Sequence, residues 1–463
     1  MEPRFNRRAS AELDEGSSRI SSRLAASEDV LEVATPPAAD SSAPFLLTMP
    51  EYNGTLAAAR CLGQRGIAVT MAGTELTAPA RWSRYVTRWM QAPSVTDPER
   101  FMDWLLEFGA REPKHVLYPT CDDLAWLFAE RAAELRRYFW VYQPTAQTVL
   151  QLLDKKALHQ TCAELDIPTL HTFFPANVQE AQRAARELGF PVLLKPRTQI
   201  TLSSRSKGML VGSADTLARD YARFMEGNTF HPLLARRLQQ LEQPMLQTYR
   251  AHAAGGIYCL AGFVAPNHED AVARGAMKIF QRPRRLGVGL CFEEAAVDRG
   301  ALDAILRLCR KVNYFGVFEA EFVPDNGQLH LLDFNPRFYG QMGFETGRAL
   351  PLGYMVYLAA LGKTDALKEA MASAATWQEG RGYIYCHRFY LHLLIALRRV
   401  AGRMNPEEAA RWRNWLNARA ARHLALDPTI SADDNLPALV SAAHEVYKAV
   451  RHPRSFLLAN VLD

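Results

Sequence analysis

From Phe45 onward, short apolar runs alternate with amphipathic stretches. "PFLLTMP" reads as a buried strand beginning at Phe45. "EYNGTLAAARCLGQRG" turns at Asn53-Gly54 and continues as a helix, and "IAVTMAG" is a second strand. "HVLYPT" at 115–120 is another strand, followed by a helix from Thr120 whose first turn holds Asp122 and Asp123, where acids favour the helix dipole. Strands and helices alternating over short loops predict a parallel α/β layer. Its first turn lacks the Gly-x-Gly-x-x-Gly pattern, so this layer binds no dinucleotide in the usual way. Asp122 and Asp123, at the end of a parallel strand, are placed either to meet an amino group or simply to serve the helix N-terminus.

The texture changes near residue 145. Helices around 145–165 and 177–188 alternate with the short apolar strands "TLHTFF", "FPVLLKP" and "KGMLVG". Longer alternating strands follow: "PMLQTYR", "GIYCLAGFV", "AVARGAMKIF", "GVFEAEFV" and "LHLLDFN". Period-2 alternation over these lengths predicts an α+β block with antiparallel sheet. Beyond about 362 the chain is rich in Arg, Ala and Leu and reads as helical, with Trp412 and Trp415 on one helix. Residues 1–43 hold almost no aromatic or β-branched residues and no apolar core of a leader peptide, which predicts a disordered tail. The expected division is therefore a tail over 1–43, a parallel α/β domain over 44–145, an α+β domain over 146–362 and a helical region over 363–463.

Composition narrows the function classes. At 463 residues the chain is long enough for two or three domains. A formal charge of +5 without a long basic run argues against nucleic acid as a partner; "RPRR" at 282–285 is too short for that, although it can meet phosphates. Seven scattered cysteines without a CxxC pair suit neither a disulfide framework nor a zinc knuckle, and a reducing cytoplasm is the expected setting. No apolar run approaches a membrane span, and "FYLHLLIALRRVAG" from Phe389 reads as a core helix.

The chemistry concentrates in "LLDFNPRFYG" at 331–340. Strands 316–323 and 328–335 flank Pro324-Asp325-Asn326-Gly327, a strong turn signal. A two-residue loop at Asn326-Gly327 would set Glu321 opposite Leu332 and split the acids between faces. A three-residue loop over Asp325-Asn326-Gly327 pairs Glu319 with Asp333 and Glu321 with Leu331. It gathers Glu319, Glu321, Asp333 and Asn335 on one face, with Phe318, Phe322, Leu332 and Phe334 behind. The three-residue loop is therefore the expectation. Carboxylate and amide oxygens without nitrogen or sulfur suit Mg²⁺, with Mn²⁺ as a substitute. The alternative for such a hairpin is an acidic solvated face; Leu331 on the same side and Arg337 just beyond count against it.

With these residues in place, the chain resembles the ATP-grasp superfamily. "GVFEAEF" and "LLDFNPR" are similar to its metal-binding signature, which implies Glu321, Asp333 and Asn335 as metal ligands, Asp333 standing where Glu is commoner. "DKKALHQTCAELDIPTLHTF" resembles the segment opening the nucleotide domain and implies Lys155 at the phosphates; "FPVLLKP" implies Lys195 between phosphate and adenine. "PMLQTYR" resembles the hinge strand that reads adenine, with Gln247, the Thr248 carbonyl and the Arg250 amide as its partners. "RTQITLSSRSKG" occupies the place of the lid but holds one glycine, so Ser203, Ser204, Arg205 and Lys207 would supply donors to the phosphates. "GAMKIFQRPRRLGVG" implies Lys278 and Arg282 against phosphates or the acceptor carboxylate, on one side of the strand if it stays extended. The ribose-binding acid expected after the hinge is not evident in "AHAAGGIY".

The resemblance spans roughly residues 44–362. It implies a pre-ATP-grasp α/β domain and a nucleotide domain of two α+β subdomains. The implied activity is ATP- and Mg²⁺-dependent phosphorylation of a carboxylate, then attack by an amine. Arg337 would stabilise the transferring phosphoryl group or the oxyanion. The substrates the resemblance implies are a small amino-acid-like carboxylate and an amine, and a homodimer fits the expectation. Two alternatives stand: phosphorylation of bicarbonate, disfavoured because Gln341 stands where those members place a glutamate base, and a non-catalytic ATP-binding regulatory protein.

Overall fold

The computed structural model describes residues 43–204, 207–283 and 287–460. The tail expected over 1–43 therefore lies outside the described residues except for Ala43, which is buried beside the first strand.

Five short strands form the N-terminal sheet, in the order Val86–Gln91, Val69–Gly73, Phe45–Leu47, His115–Leu117, Phe139–Val141, and all neighbours are parallel. Alternation sends Phe45, Leu47, Val69 and Val116 into one core and Leu46, Ala72, Leu117 and Phe139 into another, so both faces are covered. The strand order reverses between Phe45–Leu47 and His115–Leu117. A crevice at the carboxyl ends of the strands is expected at such a switch point. There the Thr48 and Thr120 hydroxyls are 2.9 Å apart, and the helix Asp122–Glu130 begins. Asn53-Gly54 is not a turn: the helix Asn53–Gly63 already includes both. Gly54 is needed there because a Cβ would sit 2.2 Å from the Tyr339 carbonyl oxygen, in the loop that follows the acidic strand.

A four-stranded antiparallel sheet follows, ordered Thr172–Phe173, Met245–Thr248, Val192–Lys195, Met209–Val211. Val192, Leu194 and Leu246 pack under the helices Val178–Leu188 and Ala214–Glu226. Leu193, Lys195, Met245 and Gln247 therefore share the other face.

The seven-stranded sheet runs Gln328–Asn335, Gly316–Asp325, Ile257–Val264, Ala271–Arg282, Val288–Ala295, Ile384–Cys386, Ala425–Leu426. One face packs on the helix Arg299–Val312 through Phe318, Phe334, Ile305 and Leu308. The C-terminal region is mainly helical, as expected, and also contributes the last two strands of this sheet. These were not legible as strands because three and two residues are too few to show a period. The segment read as a core helix is one: Arg388–Val400 buries Tyr390, Leu391, Leu394 and Ile395. Trp412, on the helix Pro406–Ala420, meets Phe280 edge-on at 5.0 Å. Among the described residues no helix is long and apolar enough to cross a membrane.

Candidate functional site

The hairpin Gly316–Asn335 turns through two residues. Asn326 (φ 51°) and Gly327 (φ 79°) both adopt the left-handed conformation of a tight hairpin loop, and Asp325 pairs with Gln328. The expected three-residue loop is therefore not used. The acids share a face by another route. Phe322 pairs with Leu331 and Glu321 with Asp333, so Leu332 is an extra residue in a β-bulge, and Glu319 pairs with Asn335. The predicted pairs Glu319–Asp333 and Glu321–Leu331 are replaced accordingly. The bulge also exchanges the two leucines. Leu331 joins Phe318, Phe322 and Phe334 in the core, while Leu332 packs with Ile257 and Cys259 on the side of the acids. The sheet edge is covered where Leu331 N donates to Pro168 O at 2.7 Å.

Each carboxylate on this face meets a donor from a different element. Lys155, the first residue of the helix Lys155–Glu164, places Nζ 2.6 Å from Asp333 Oδ1. Lys278, on the strand Ala271–Arg282, places Nζ 2.6 Å from Glu321 Oε1. Glu319 accepts from Asn335 Nδ2 at 2.5 Å and from Gln341 Nε2 at 2.8 Å. Arg337 completes the ring, donating from Nη2 to Asn335 Oδ1 at 2.8 Å and from Nε to Asp122 Oδ1 at 2.6 Å. The same loop is sewn to the switch point by Phe338 N donating to Pro119 O at 3.1 Å. Lys155, Lys278 and Glu319 are almost wholly buried, so each charge would be costly without its partner.

The electrostatics follow from burial and this pairing. Burial alone would raise Asp333, yet Lys155, Lys195 and Arg337 hold it below the usual carboxylate range. Burial would lower Lys278, but Glu321 holds its ammonium firmly charged. Lys195 is pulled down to about 8, first by burial and then by the charge of Lys155. Glu319 is pushed up to about 7 by burial and by neighbouring Glu321. His159 falls to about 4 through burial and the nearby Lys155 and Lys195, so a neutral imidazole flanks the lysines near neutral pH. Lys195 titrates under the influence of Asp333, Glu321 and Lys278, so the lysine end of the small sheet faces the acidic hairpin.

Gln247 is fully buried on that same face of the small sheet. Its Nε2 donates to Thr172 Oγ1 at 3.0 Å, while its Oε1 has no hydrogen-bond partner. A buried amide oxygen left open is the kind of acceptor a ligand amine would satisfy. The Thr248 amide is already used, donating to His171 O at 3.0 Å. Arg250 is held at the hairpin turn, Nε 2.8 Å from Asp325 Oδ2.

The lid segment divides in two. Its first half is anchored: Arg197 grips Asp154 with Nε at 3.0 Å and Nη2 at 2.6 Å, Ile200 is buried in the N-terminal core, and Thr201 N donates to Asp123 Oδ1 at 3.0 Å. Ser203–Ser204 then pairs with Asn228–Thr229, and Lys207 is exposed; Arg205 lies outside the described residues. Arg282 is the predicted residue whose contacts lie elsewhere. Its guanidinium sits 4.5 Å over the Tyr390 ring and 4.0 Å from Glu445 Oε2, among the C-terminal helices. The strand does not stay regular: pairing with Val288–Ala295 shifts around Phe280, between Lys278 and Arg282.

Two side chains gain weight only from the structure. Asp122 orients Arg337 across 215 positions of sequence, and Gln341 holds Glu319. The one signal for Asp122 was an acid at the end of a parallel strand. As for a metal, Cys259 Sγ and single oxygens of Glu319 and Glu321 lie within 4.8 Å of one another. Burial raises the Cys259 thiol well above its ordinary value, and sulfur is a poor ligand for a hard cation, which leaves the oxygens as donors. Glu321, Asp333 and Asn335 lie on one face and carry the oxygen donors that a hard divalent ion prefers.

No family model matches the chain. In sequence it is 29% identical over 125 residues to a formate-dependent phosphoribosylglycinamide formyltransferase of Tolumonas auensis, covering 27% of this chain and 30% of that one. A protein of the same description from Synechococcus sp. (strain CC9605) is 29% identical over 142 residues, covering 30% and 34%. The chain thus spans about a third of the length of the curated relatives it matches. In structure it is similar to the biotin carboxylase domain of Hydrogenobacter thermophilus 2-oxoglutarate carboxylase in complex with MgADP, ADP and bicarbonate (TM-score 0.53, 16% identity, 73% of this chain and 70% of that one). It is also similar to a Campylobacter jejuni biotin carboxylase (TM-score 0.53, 14% identity, 68% and 70%). A third likeness is to Staphylococcus aureus N5-carboxyaminoimidazole synthetase complexed with ADP (TM-score 0.51, 14% identity, 67% and 74%).

Proposed function

From a chain with the ATP-grasp fold, we propose an ATP-dependent ligase that activates a carboxylate as an acylphosphate and joins it to an amine. The observation that carries this reading is the set of exchangeable ion pairs, Lys155–Asp333 and Lys278–Glu321, facing Lys195. A nucleoside triphosphate would draw the lysines to its phosphates and free both carboxylates to take a cation. Glu321, Asp333 and Asn335 would then hold Mg²⁺, which supplies charge neutralisation between the phosphates. Gln247 Oε1, unpaired and buried, would accept from the adenine amino group, with the Thr248 carbonyl and Arg250 amide beside it. Ser204 and Lys207 would reach the phosphates from the second half of the lid.

The carboxylate oxygen attacks the γ-phosphorus, ADP leaves, and an acylphosphate results. The amine then attacks the acyl carbon, and phosphate departs. Arg337 would meet the developing negative charge with the N–H groups left over once Nε donates to Asp122, Nη1 to Phe338 O and Nη2 to Asn335, contacts that fix its fork beforehand. The acceptor pocket is proposed at the switch point of the parallel sheet, where Asp122 stands. Arg282, over the Tyr390 ring among the C-terminal helices, is given no contact to the acceptor in this reading. The bicarbonate reading is weaker, because Gln341 spends its amide on Glu319 and cannot take a proton. Seven buried, unbridged cysteines support a reducing cytoplasm.

The test is Mg²⁺-dependent release of ADP and phosphate, screened over pairs of small carboxylic acids and amines, with Glu321→Ala beside the wild type. Release confined to particular pairs and absent from the variant is the expected result.

A further inference from the structure

The helix Leu436–Arg451 presents its side chains inside out. Between 436 and 450 every exposed position is apolar: Leu436, Leu439, Ala443, Val446, Tyr447 and Val450. Leu439 is 67% and Val450 77% exposed. At 100° per residue these six fall within one arc about 100° wide, the width of a core-facing stripe. The polar residues point the other way. Glu445 is buried against Lys448 Nζ at 2.8 Å, and Ser441 Oγ is 3.1 Å from His387 Nε2. A helix bordering only water has the reverse arrangement.

We infer that this helix is the seat of a twofold, antiparallel association between two copies of the chain. Three observations select that partner. The stripe is uncharged along about 21 Å, so a copy of itself meets no like charge. Its ends differ in charge: at the N-terminal end Asp433 is exposed, its carboxylate already accepting from Tyr85 and Ser431 with Arg84 beside it, and at the C-terminal end exposed Arg451 and Arg454 follow the last apolar position. An antiparallel pair sets acid against base at both ends, whereas a parallel pair sets like on like. The helix dipole adds to the same preference. Ala443, the smallest side chain of the stripe, lies midway between Leu436 and Val450. A twofold axis there lets the backbones approach and places Leu436 of one copy opposite Val450 of the other, an isologous contact that closes on itself. The same axis brings the Asp433 end of one copy to the Arg451 end of the other. The inference does not rest on the ligase reading, since none of these residues belongs to the acidic hairpin.

The experiment is sedimentation velocity of the full chain over a dilution series. The wild type is expected to approach twice the monomer mass. Leu439→Glu with Val446→Glu should remain monomeric with the native helix content by circular dichroism. Ala443→Cys should give a covalent dimer under copper–phenanthroline, while the wild type, whose cysteines are all buried, gives none. Arg451→Glu with Arg454→Glu should weaken the dimer, and adding Asp433→Arg should restore it. A wild type of monomer mass at every concentration overturns the inference, as does a dimer indifferent to the double glutamate variant of the stripe. So does a monomer that binds anionic vesicles through Leu439 and Val446, or one whose stripe binds a hydrophobic dye only after residues 1–42 are removed.

Discussion

Two regions reverse the usual order of inside and outside. On the hairpin Gly316–Asn335 carboxylates are turned inward, with Glu319 only 2% exposed. On the helix Leu436–Arg451 aliphatic side chains are turned outward. The difference lies in where the compensation is found. Every buried acid of the hairpin has a partner within the chain, drawn from four separate elements, whereas the apolar stripe of the helix is left exposed among the described residues. A broken rule compensated locally is held by the chain's own contacts; one left uncompensated is the feature on which the proposed association rests.

Removing a preorganised charge from the hairpin should have the largest effect. Arg337→Ala is expected to keep the fold and lose on the order of 10²- to 10³-fold in turnover, about 3–4 kcal/mol. Near-native ADP release in that variant would remove Arg337 from the chemistry. Lys278→Met leaves Glu321 without its cation and should cost about 3 kcal/mol in denaturant unfolding. If Lys278→Met with Glu321→Leu recovers stability but not turnover, the pair serves ligand exchange rather than folding.

A pH titration sharpens the same contrast at the lid anchor. Burial and the neighbouring Asp122 push Asp123 up to about 7. Because its folded value lies above the ordinary one, its contribution is full below about pH 4 and is lost as pH rises toward 7. Stability should fall across that window by a few kcal/mol, on the order of 2–4. Asp123→Asn should flatten this part of the profile; an unchanged slope would mean that Asp123 is ionised at no cost. The smallest effect belongs to the turn. Asn326→Ala strains a left-handed position and should cost about 1 kcal/mol without changing ADP release. A large loss of activity there would show that the bulge depends on the loop.

Much of this was legible in the sequence because it rests on local pattern. The parallel layer followed from alternating strands and helices, and the shared face of Glu319, Glu321, Asp333 and Asn335 from period-2 spacing. The loop was misread for a physical reason: spacing permits one parity correction, and the chain placed it in a bulge at Leu332 rather than in the turn. Asp122 as the partner of Arg337 could not be seen, since the contact is made by topology alone. Strand Ile384–Cys386 was missed because it is three residues long and sits among helices. The exposed stripe lay in the sequence as an amphipathic pattern, but which side faced the protein needed the packing.

The ion-paired face is proposed to exchange its lysines for ATP and then to drive a carboxylate to an acylphosphate. The most direct measurement is Mg²⁺-dependent ADP formation by the full chain against paired carboxylates and amines, in wild type and Glu321→Ala. ADP that appears only with particular pairs and disappears in the variant is the result predicted. A protein that binds ATP but forms no ADP with any pair, with or without bicarbonate, or a variant that matches the wild type, would contradict it.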